Sequence, residues 1–230
     1  MDEIKNKDKI FYSVKIIIIG DQNVGKTNII HRFTDGEFSN QYMITIGMDY
    51  ISHNIKINKN IFHLQLWDTA GSERFRSITK GYFSNSACAI IVYDITNEKS
   101  FDSIKEWVNE CKLYTNKNIH LVLVGNKNDL KEQRKIEKEQ GEELAKEYDM
   151  KFFEASALTG DNIEEIFVDI CKTINKNIID KLYDLNDPSI GIKISEREDD
   201  MEINKTYETS SFLSKGSQKL NSKRNKRKCC

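Results

Sequence analysis

The sequence predicts an α/β domain in which a mostly parallel, doubly wound sheet carries helices on both faces. Three observations predict it. Short apolar runs rich in β-branched residues alternate with helical patterns from residue 14 to residue 178. Those runs are almost wholly apolar, as strands buried on both faces are. One early pair of strands is joined by a tight turn, which places a single antiparallel strand at an edge. The predicted order is β-α-β-β-α-β-α-β-α-β-α. Such alternation winds into one sheet whose ligands sit beyond the carboxyl ends of the strands.

Residues 14–19 form the first strand, which Gly20 ends, and residues 26–33 read as the helix that follows. Residues 50–57 and 61–67 are strands flanking Asn58, Lys59 and Asn60, a hairpin signal. Residues 87–93 and 119–124 are two further apolar strands. Between them Phe101, Ile104, Trp107, Val108, Cys111 and Tyr114 repeat at helical spacing, with Ser100 as the expected N-cap. Leu144, Ala145 and Tyr148 mark another helix, and residues 152–155 a short strand. Ile163, Ile166, Phe167, Ile170, Cys171, Ile174 and Ile178 make a long apolar stripe, capped by Asp161 or Asn162. The expected organisation is a polar arm at residues 1–12, one domain at 13–178 and a flexible tail at 179–230.

A chain of 230 residues holds one medium domain with a buried core, not two comfortable domains and a long tail. Hydrophobic content of 38% and charged content of 31% argue for a globular chain rather than a disordered or membrane-spanning one. A formal net charge of -1 gives no reason to expect nucleic acid as a partner. Residues 1–9 lack an apolar core and do not read as a secretory signal, and no apolar run approaches bilayer-spanning length. Membrane attachment is therefore expected from a lipid or a partner. Cys88, Cys111 and Cys171 sit inside apolar patterns and read as core residues of a reducing compartment.

The chemistry lies in motifs that each follow a predicted strand. Gly20, Asp21, Gln22, Asn23, Val24, Gly25, Lys26 and Thr27, followed by Asn28, fit G-x-x-x-x-G-K-[ST]. A phosphate needs glycines for close backbone approach and free N–H groups at a helix start. It also needs a lysine for the β- and γ-phosphates and a hydroxyl for Mg²⁺. The alternative, an incidental glycine-rich turn, is argued against by the flanking strand and helix. Trp67, Asp68, Thr69, Ala70 and Gly71 follow another strand. An acid there can hold Mg²⁺ through water, and the glycine lets a backbone N–H reach a γ-phosphate. Alone, Asp68 would read as a solvated turn residue; beside a phosphate loop it does not. Asn126, Lys127, Asn128 and Asp129 come after a third strand. A carboxylate there accepts from N1–H and the 2-amino group of guanine, a donor pair adenine lacks, and Lys127 can lay its stem on the purine. In isolation this tetrapeptide would read as a polar turn. Ser156, Ala157 and Leu158 follow the last strand and can offer a backbone N–H to the base oxygen.

Taken together these spacings resemble the small GTPases, and within them the Rab family, over about residues 13–178 and again at the C-terminus. The Rab-like features are Ile46, Gly47, Met48, Asp49 and Tyr50, then Arg74, Phe75, Arg76, Ser77 and Ile78, and finally Cys229 and Cys230. Ras and Rho proteins differ there and usually end in a prenylation box. The resemblance implies the P-loop small-GTPase fold, a six-stranded sheet with five helices as in the predicted order. It implies slow GTP hydrolysis coupled to membrane traffic, with GTP or GDP and Mg²⁺ bound. Thr27 and Thr45 would ligate Mg²⁺ and Asp68 would hold it through water. Lys26, Thr45, Gly71 and Ser72 would stand at the reacting phosphate. Asn126, Lys127, Asp129, Ser156, Ala157 and Leu158 would surround guanine, with Phe38 flanking the base. Ile46, Tyr50, Trp67 and Tyr82 would form an effector surface, although core packing also accounts for such aromatics. The implied mechanism is a bistable one. The γ-phosphate and Mg²⁺ order residues 38–50 and 69–83, and attack of water on the γ-phosphorus, aided by Lys26, Mg²⁺ and backbone amides, releases them. Implied partners are effectors of the GTP state, an exchange factor, a GTPase-activating protein, a GDP-dissociation inhibitor and a prenylation escort protein.

Three positions depart from the family pattern. Ser72 stands where the family usually has the glutamine that positions water, and serine is too short to bridge the same distance. Gln22 occupies a place that is glycine in Ras, although Rab proteins vary there. Leu158 replaces the usual lysine of the guanine turn and loses a stem that packs on the base. In the tail, Pro188 and Gly191 interrupt helical pattern, residues 196–202 are acid-rich and no apolar stripe remains, so disorder is expected. Lys223, Arg224, Lys226, Arg227 and Lys228 then precede Cys229 and Cys230. A basic run is usually a solvated face or a nuclear address. Beside a lipid-ready cysteine pair it reads as a contact for anionic head groups, at about 1 kcal/mol per charge, with two prenyl chains for stable anchoring. A zinc or disulfide role for the pair is the alternative. The expected location is the cytosolic face of an endomembrane, with a cytosolic pool. Two function classes stay open: a cycling GTPase, and a GTP-loaded adaptor that barely hydrolyses, which Ser72 favours. An ATP-using enzyme is disfavoured by residues 126–129.

Overall fold

β1 (Phe11–Ile19) takes the middle of the sheet because its residues are apolar on both faces. Ile16 and Ile18 enter one core cluster and Ile17 and Ile19 the other, all fully buried. The computed structural model describes residues 9–39, 45, 48–71 and 80–195. Within them β1 leads through α1 (Lys26–Asp35) to β2 (Met48–Ile57), β3 (Asn60–Thr69) and β4 (Cys88–Asp94). Then come α2 (Glu98–Asp102), α3 (Ile104–Tyr114), β5 (His120–Asn126), α4 (Lys138–Glu147), β6 (Lys151–Ala155), α5 (Ile163–Ile179) and β7 (Ile192–Ser195). The sheet order is β2-β3-β1-β4-β5-β6, with β7 added to β1. β1, β3, β4, β5 and β6 run parallel, and β2 pairs antiparallel with β3 at the edge, as the hairpin signal predicts.

On one face Ile29 and Ile30 of α1 and Ile166, Phe167, Ile170 and Ile174 of α5 share a cluster with Ile16, Ile18, Leu64 and Leu66. On the other, Trp107 and Val108 of α3 and Leu144 and Ala145 of α4 join Ile17, Ile19, Ala89 and Ile91. Each large side chain buried this way contributes about 1.5–3 kcal/mol. Cys88, Cys111 and Cys171 are buried free thiols, and burial raises the pKa of all three, that of Cys111 to about 12. They are core residues, as their apolar surroundings predict.

Two caps differ from expectation. The single helix expected after Ser100 is two, and the cap is Asn97, whose side chain accepts from Lys99 N–H. Ser100 lies inside α2, where its hydroxyl donates to Asn97 O and accepts from Asp94 N–H. Asn162 does precede α5, but its side chain donates to Glu154 O instead of capping the helix. Apart from the 3₁₀ turn Lys80–Tyr82, the helix expected between β3 and β4 falls outside the described residues.

The larger departure comes after α5, where a flexible tail is expected and the chain instead folds back onto the sheet. β4 begins opposite Ile16, so the first residues of β1 have no β4 partner on that side. β7 fills the edge in antiparallel fashion, with Ile192 opposite Val14 and Ser195 opposite Phe11. Lys15 is the seam: its N–H donates to Gly191 O, and its own carbonyl accepts from Ala87 N–H. The Asp187 side chain caps the 3₁₀ turn Pro188–Ile190, Asn116 donates to Ser189 Oγ, and Ile190 and Ile192 are buried. Gly191 is required at the turn into β7. Its φ is 71°, and a Cβ would lie 2.5 Å from Asn85 O. Among the described residues the sheet therefore has seven strands where six were expected. The sequence signal is too short to read, because the edge that β7 completes exists only once β1 and β4 have paired.

Candidate functional site

Register puts the carboxyl ends of the strands in one line. Asp94 of β4 lies opposite Asn126 of β5, which lies opposite Ala155 of β6, and Asp68 of β3 lies opposite Ile18 of β1. β1 is also where the strand order turns, with β3 and β2 on one side and β4, β5 and β6 on the other. Ligands of open α/β sheets bind at such a turning point.

Gly25, in the left-handed conformation, precedes α1, and among the described residues no side chain caps the helix start. The helix therefore presents its N–H groups and positive dipole end at the head of β1. Lys26 is 6% exposed, and its Nζ donates to Gly20 O at 2.9 Å and Asp21 O at 2.8 Å. Burial lowers its pKa to about 8, against the opposing pull of Asp68 and Asp21. Two carbonyls do not neutralise a buried ammonium; a phosphate oxygen does. Gly71 lies so close that a Cβ there would fall 2.5 Å from Lys26 Nζ and from Asp21 O. Only a bare backbone fits between β3 and the loop.

Thr27, Thr45 and Asp68 converge beside Lys26. Thr27 Oγ1 donates to Asp68 Oδ2, and Thr45 Oγ1 lies 3.2 Å from Thr27 Oγ1 and 3.4 Å from Asp68 Oδ2. Asp68 is 2% exposed, and its Oδ1 is buried with no hydrogen-bond partner among the described residues. Burial raises the Asp68 pKa, while Thr27, Lys26 and Thr45 act to lower it. An orphaned carboxylate oxygen beside two hydroxyls is an oxygen-only donor set that fits a hard cation such as Mg²⁺. Thr27, Thr45 and Asp68 would hold the ion, which when bound neutralises developing charge on phosphate oxygens.

The third cluster joins β5 and β6 to the phosphate loop. Asn126 is 1% exposed; its Nδ2 donates to Val24 O and its Oδ1 accepts from Ala157 N–H. Its side chain is thus a strut that ties the phosphate loop to the 156–158 turn. Lys127 Nζ donates to Asn23 O at 2.9 Å and to Asp94 Oδ2 at 2.6 Å. Ser156 Oγ donates to Asp129 Oδ1 and accepts from Thr159 N–H. Leu158 is 47% exposed, and its carbonyl accepts from Arg32. Gln22 and Asn23 are exposed while Val24 is buried. The Asn28 side chain exchanges hydrogen bonds with the Ser39 backbone, and Phe38 packs partly into the core shared by α1 and α5. Ile46, Ser72, residues 74–78, Cys229 and Cys230 lie outside the described residues.

Tyr50, Trp67 and Tyr82 form one aromatic patch. Tyr50 meets Trp67 edge-on with centroids 5.7 Å apart, and Trp67 meets Tyr82, tilted, at the same separation. Tyr50 is 44% exposed. Lys15 Nζ lies 4.4 Å from the Trp67 ring centroid and donates to Tyr82 O and Ser84 O. Its partial burial lowers the lysine pKa to about 8.

Several residues serve the site through contacts that no motif states. Asp21 accepts from Ser103 Oγ at 2.8 Å and from Trp107 Nε1 at 2.9 Å, which pins the phosphate loop to α3. Asp94 orients Lys127, and Arg32 grips the 156–158 turn. Asp94 had a usable signal, an acid at the end of an apolar strand, the same signal that marks Asp68. Ser103, Trp107 and Arg32 had none.

Residues 15–176 match the model of the Ras family. The match spans well over half of the chain, and the protein belongs to the Ras family of small GTPases. Proteins of this family bind GTP and GDP with Mg²⁺, hydrolyse GTP and work through effectors, exchange factors and activating proteins.

Proposed function

We propose that this GTPase is a Rab-type switch that regulates vesicle and membrane traffic, binding effectors when loaded with GTP. The observation that supports this most is the aromatic patch of Tyr50, Trp67 and Tyr82. Tyr50 and Trp67 face each other across the β2–β3 register, and both strands run next to Thr45 and Gly71. A nucleotide that draws Thr45 and Gly71 to its γ-phosphate therefore acts beside the patch. The Rab-like residues at 46–50 and 74–78 support the same reading. In the cycle, Lys26 exchanges its two carbonyl partners for phosphate oxygens. Asp129, oriented by Ser156, accepts from guanine. Asn126 and Lys127 hold the base site to the phosphate loop.

The deciding experiment is single-turnover hydrolysis of bound GTP with the catalytic domain of a Rab-activating protein and, in parallel, of a Ras-activating protein. Acceleration by the first alone is expected. Acceleration by the second alone would place the chain in another branch of the family.

Ser72 favours a second reading, a GTP-loaded adaptor with very weak hydrolysis. If the missing glutamine limits the rate, Ser72→Gln raises intrinsic hydrolysis about tenfold, or about 1.4 kcal/mol of barrier. An unchanged rate removes this second reading. The location proposed is the cytosolic face of an endomembrane, through geranylgeranyl groups on Cys229 and Cys230 beside the basic run, with a cytosolic pool. Changing both cysteines to serine should leave the protein in the soluble fraction, and pelleting with membranes as the parent does would reject a lipid anchor.

A further inference from the structure

Arg32, on the last turns of α1, places three nitrogens on three different carbonyls. Its Nε donates to Ala157 O at 2.8 Å, its Nη2 to Leu158 O at 2.6 Å and its Nη1 to Gly36 O at 2.7 Å. We propose that Arg32 is the positioning residue of the guanine site, and that its grip on the 156–158 turn sets how long a guanine nucleotide stays bound. The proposal rests on Asp129 and the 156–158 turn as the guanine site.

The argument begins with peptide geometry. Among the described residues no peptide bond is cis, and a planar trans peptide points its carbonyl and the following N–H in opposite directions. Holding Ala157 O towards α1 therefore fixes the Leu158 N–H on the other side, and holding Leu158 O does the same for Thr159. The turn is also gripped from the sheet side. Ala157 N–H donates to Asn126, and Ser156 Oγ links Asp129 to Thr159 N–H. Arg32 is thus the α1 half of a clamp whose sheet half is the guanine motif itself. A guanidinium is suited to this work because its donors form a rigid planar fork, which a lysine ammonium cannot reproduce on two carbonyls and a third. Leu158 makes the grip matter more. The lysine stem that would pack on the base is missing, so the backbone of the turn carries a larger share of the base contact.

The third bond extends the consequence. Gly36 caps α1 in the left-handed conformation and opens the segment that leads to Phe38 and Thr45. One side chain therefore joins the guanine turn to the root of the segment that meets the metal site.

The competing account is a plain helix-end role, in which a cation near the last carbonyls of α1 adds a few tenths of a kcal/mol and nothing else. Dissociation of a fluorescent GDP from the full chain separates the two, using Arg32→Lys and Arg32→Met with and without EDTA. Arg32→Lys keeps the charge at the helix end but loses the fork. Both variants should release GDP about tenfold faster, and by the same factor in EDTA, because the loss is on the base side. A rate for Arg32→Lys within about twofold of the parent overturns the proposal, and so does an effect that disappears in EDTA. Asp129→Asn serves as the separate control. If it fails to shift preference towards xanthine nucleotides, the guanine-site reading falls, whatever Arg32 does.

Discussion

At its amino end β1 is flanked by β3 on one side and β7 on the other, and Val14 and Tyr12 are buried between them. At its carboxyl end the same strand runs into residues 20–25, beside which the Lys26 ammonium and the Asp68 carboxylate are both buried. The first end satisfies its backbone with its own chain. The second leaves Lys26 with two carbonyls and Asp68 Oδ1 with no partner among the described residues. Buried charges of that kind cost folding free energy, and they recover it from a ligand that supplies the opposite charge. The difference teaches that fold stability and ligand affinity in this domain are controlled at opposite poles of one strand.

The strongest way to break that comparison is Lys26→Met. Removing the ammonium takes away the group that meets the phosphates and relieves a desolvation cost. GDP affinity should fall at least about a hundredfold, or about 2.7 kcal/mol, while the far-ultraviolet circular dichroism of the chain is preserved. Calorimetric titration that finds parental affinity would show that Lys26 is not the phosphate partner.

Gly191→Val addresses the opposite pole. A branched side chain at φ 71° meets Asn85 O and the Ala87 backbone, so β7 should detach at a cost of about 2–3 kcal/mol. The melting temperature should drop by about 5–10 °C. Hydrogen exchange should quicken at the Lys15 amide, which loses Gly191 O. GDP dissociation should stay within about twofold of the parent, and a large change there would mean the poles are coupled.

The smallest effect concerns Lys15, at the seam between them. Its folded-state pKa of about 8 lies below the ordinary 10.5 because of burial. Between those values the unfolded chain holds a proton that the folded chain has lost, so stability rises with pH across the window. The melting temperature of the parent should therefore rise relative to that of Lys15→Met between about pH 8 and about pH 10.5. A constant difference would show that Lys15 keeps its proton in the fold.

Much of the architecture was legible because strands buried on both faces cannot hide: residues 16–19 and 88–92 read as strands on composition alone. The phosphate loop was legible for the same reason that it works, since glycine, lysine and threonine at fixed spacing are what a phosphate and its metal demand. Ser100 was expected as the cap because serine caps well, but its hydroxyl is engaged with Asp94 N–H and Asn97 O, and Asn97 caps α2 instead. The Asn126 amide also ties Val24 to Ala157, a role that needs the distance between two loops to be known. Arg32 and Trp107 act on partners more than eighty residues away in the chain, which no local pattern encodes. β7 failed for a third reason, because a four-residue strand gains its identity from the edge it completes.

That strand also decides how the body takes a mechanical pull. Ser195 lies opposite Phe11, so β7 runs antiparallel to β1, away from the phosphate loop. A pull at Ser195 along the axis of β7 would load the ladder's hydrogen bonds together in shear, instead of peeling them one at a time. The force enters through the central strand of the sheet and not through the end of the last helix at Ile179. A domain held at Ser195 would be held at the pole of the sheet opposite its phosphate loop.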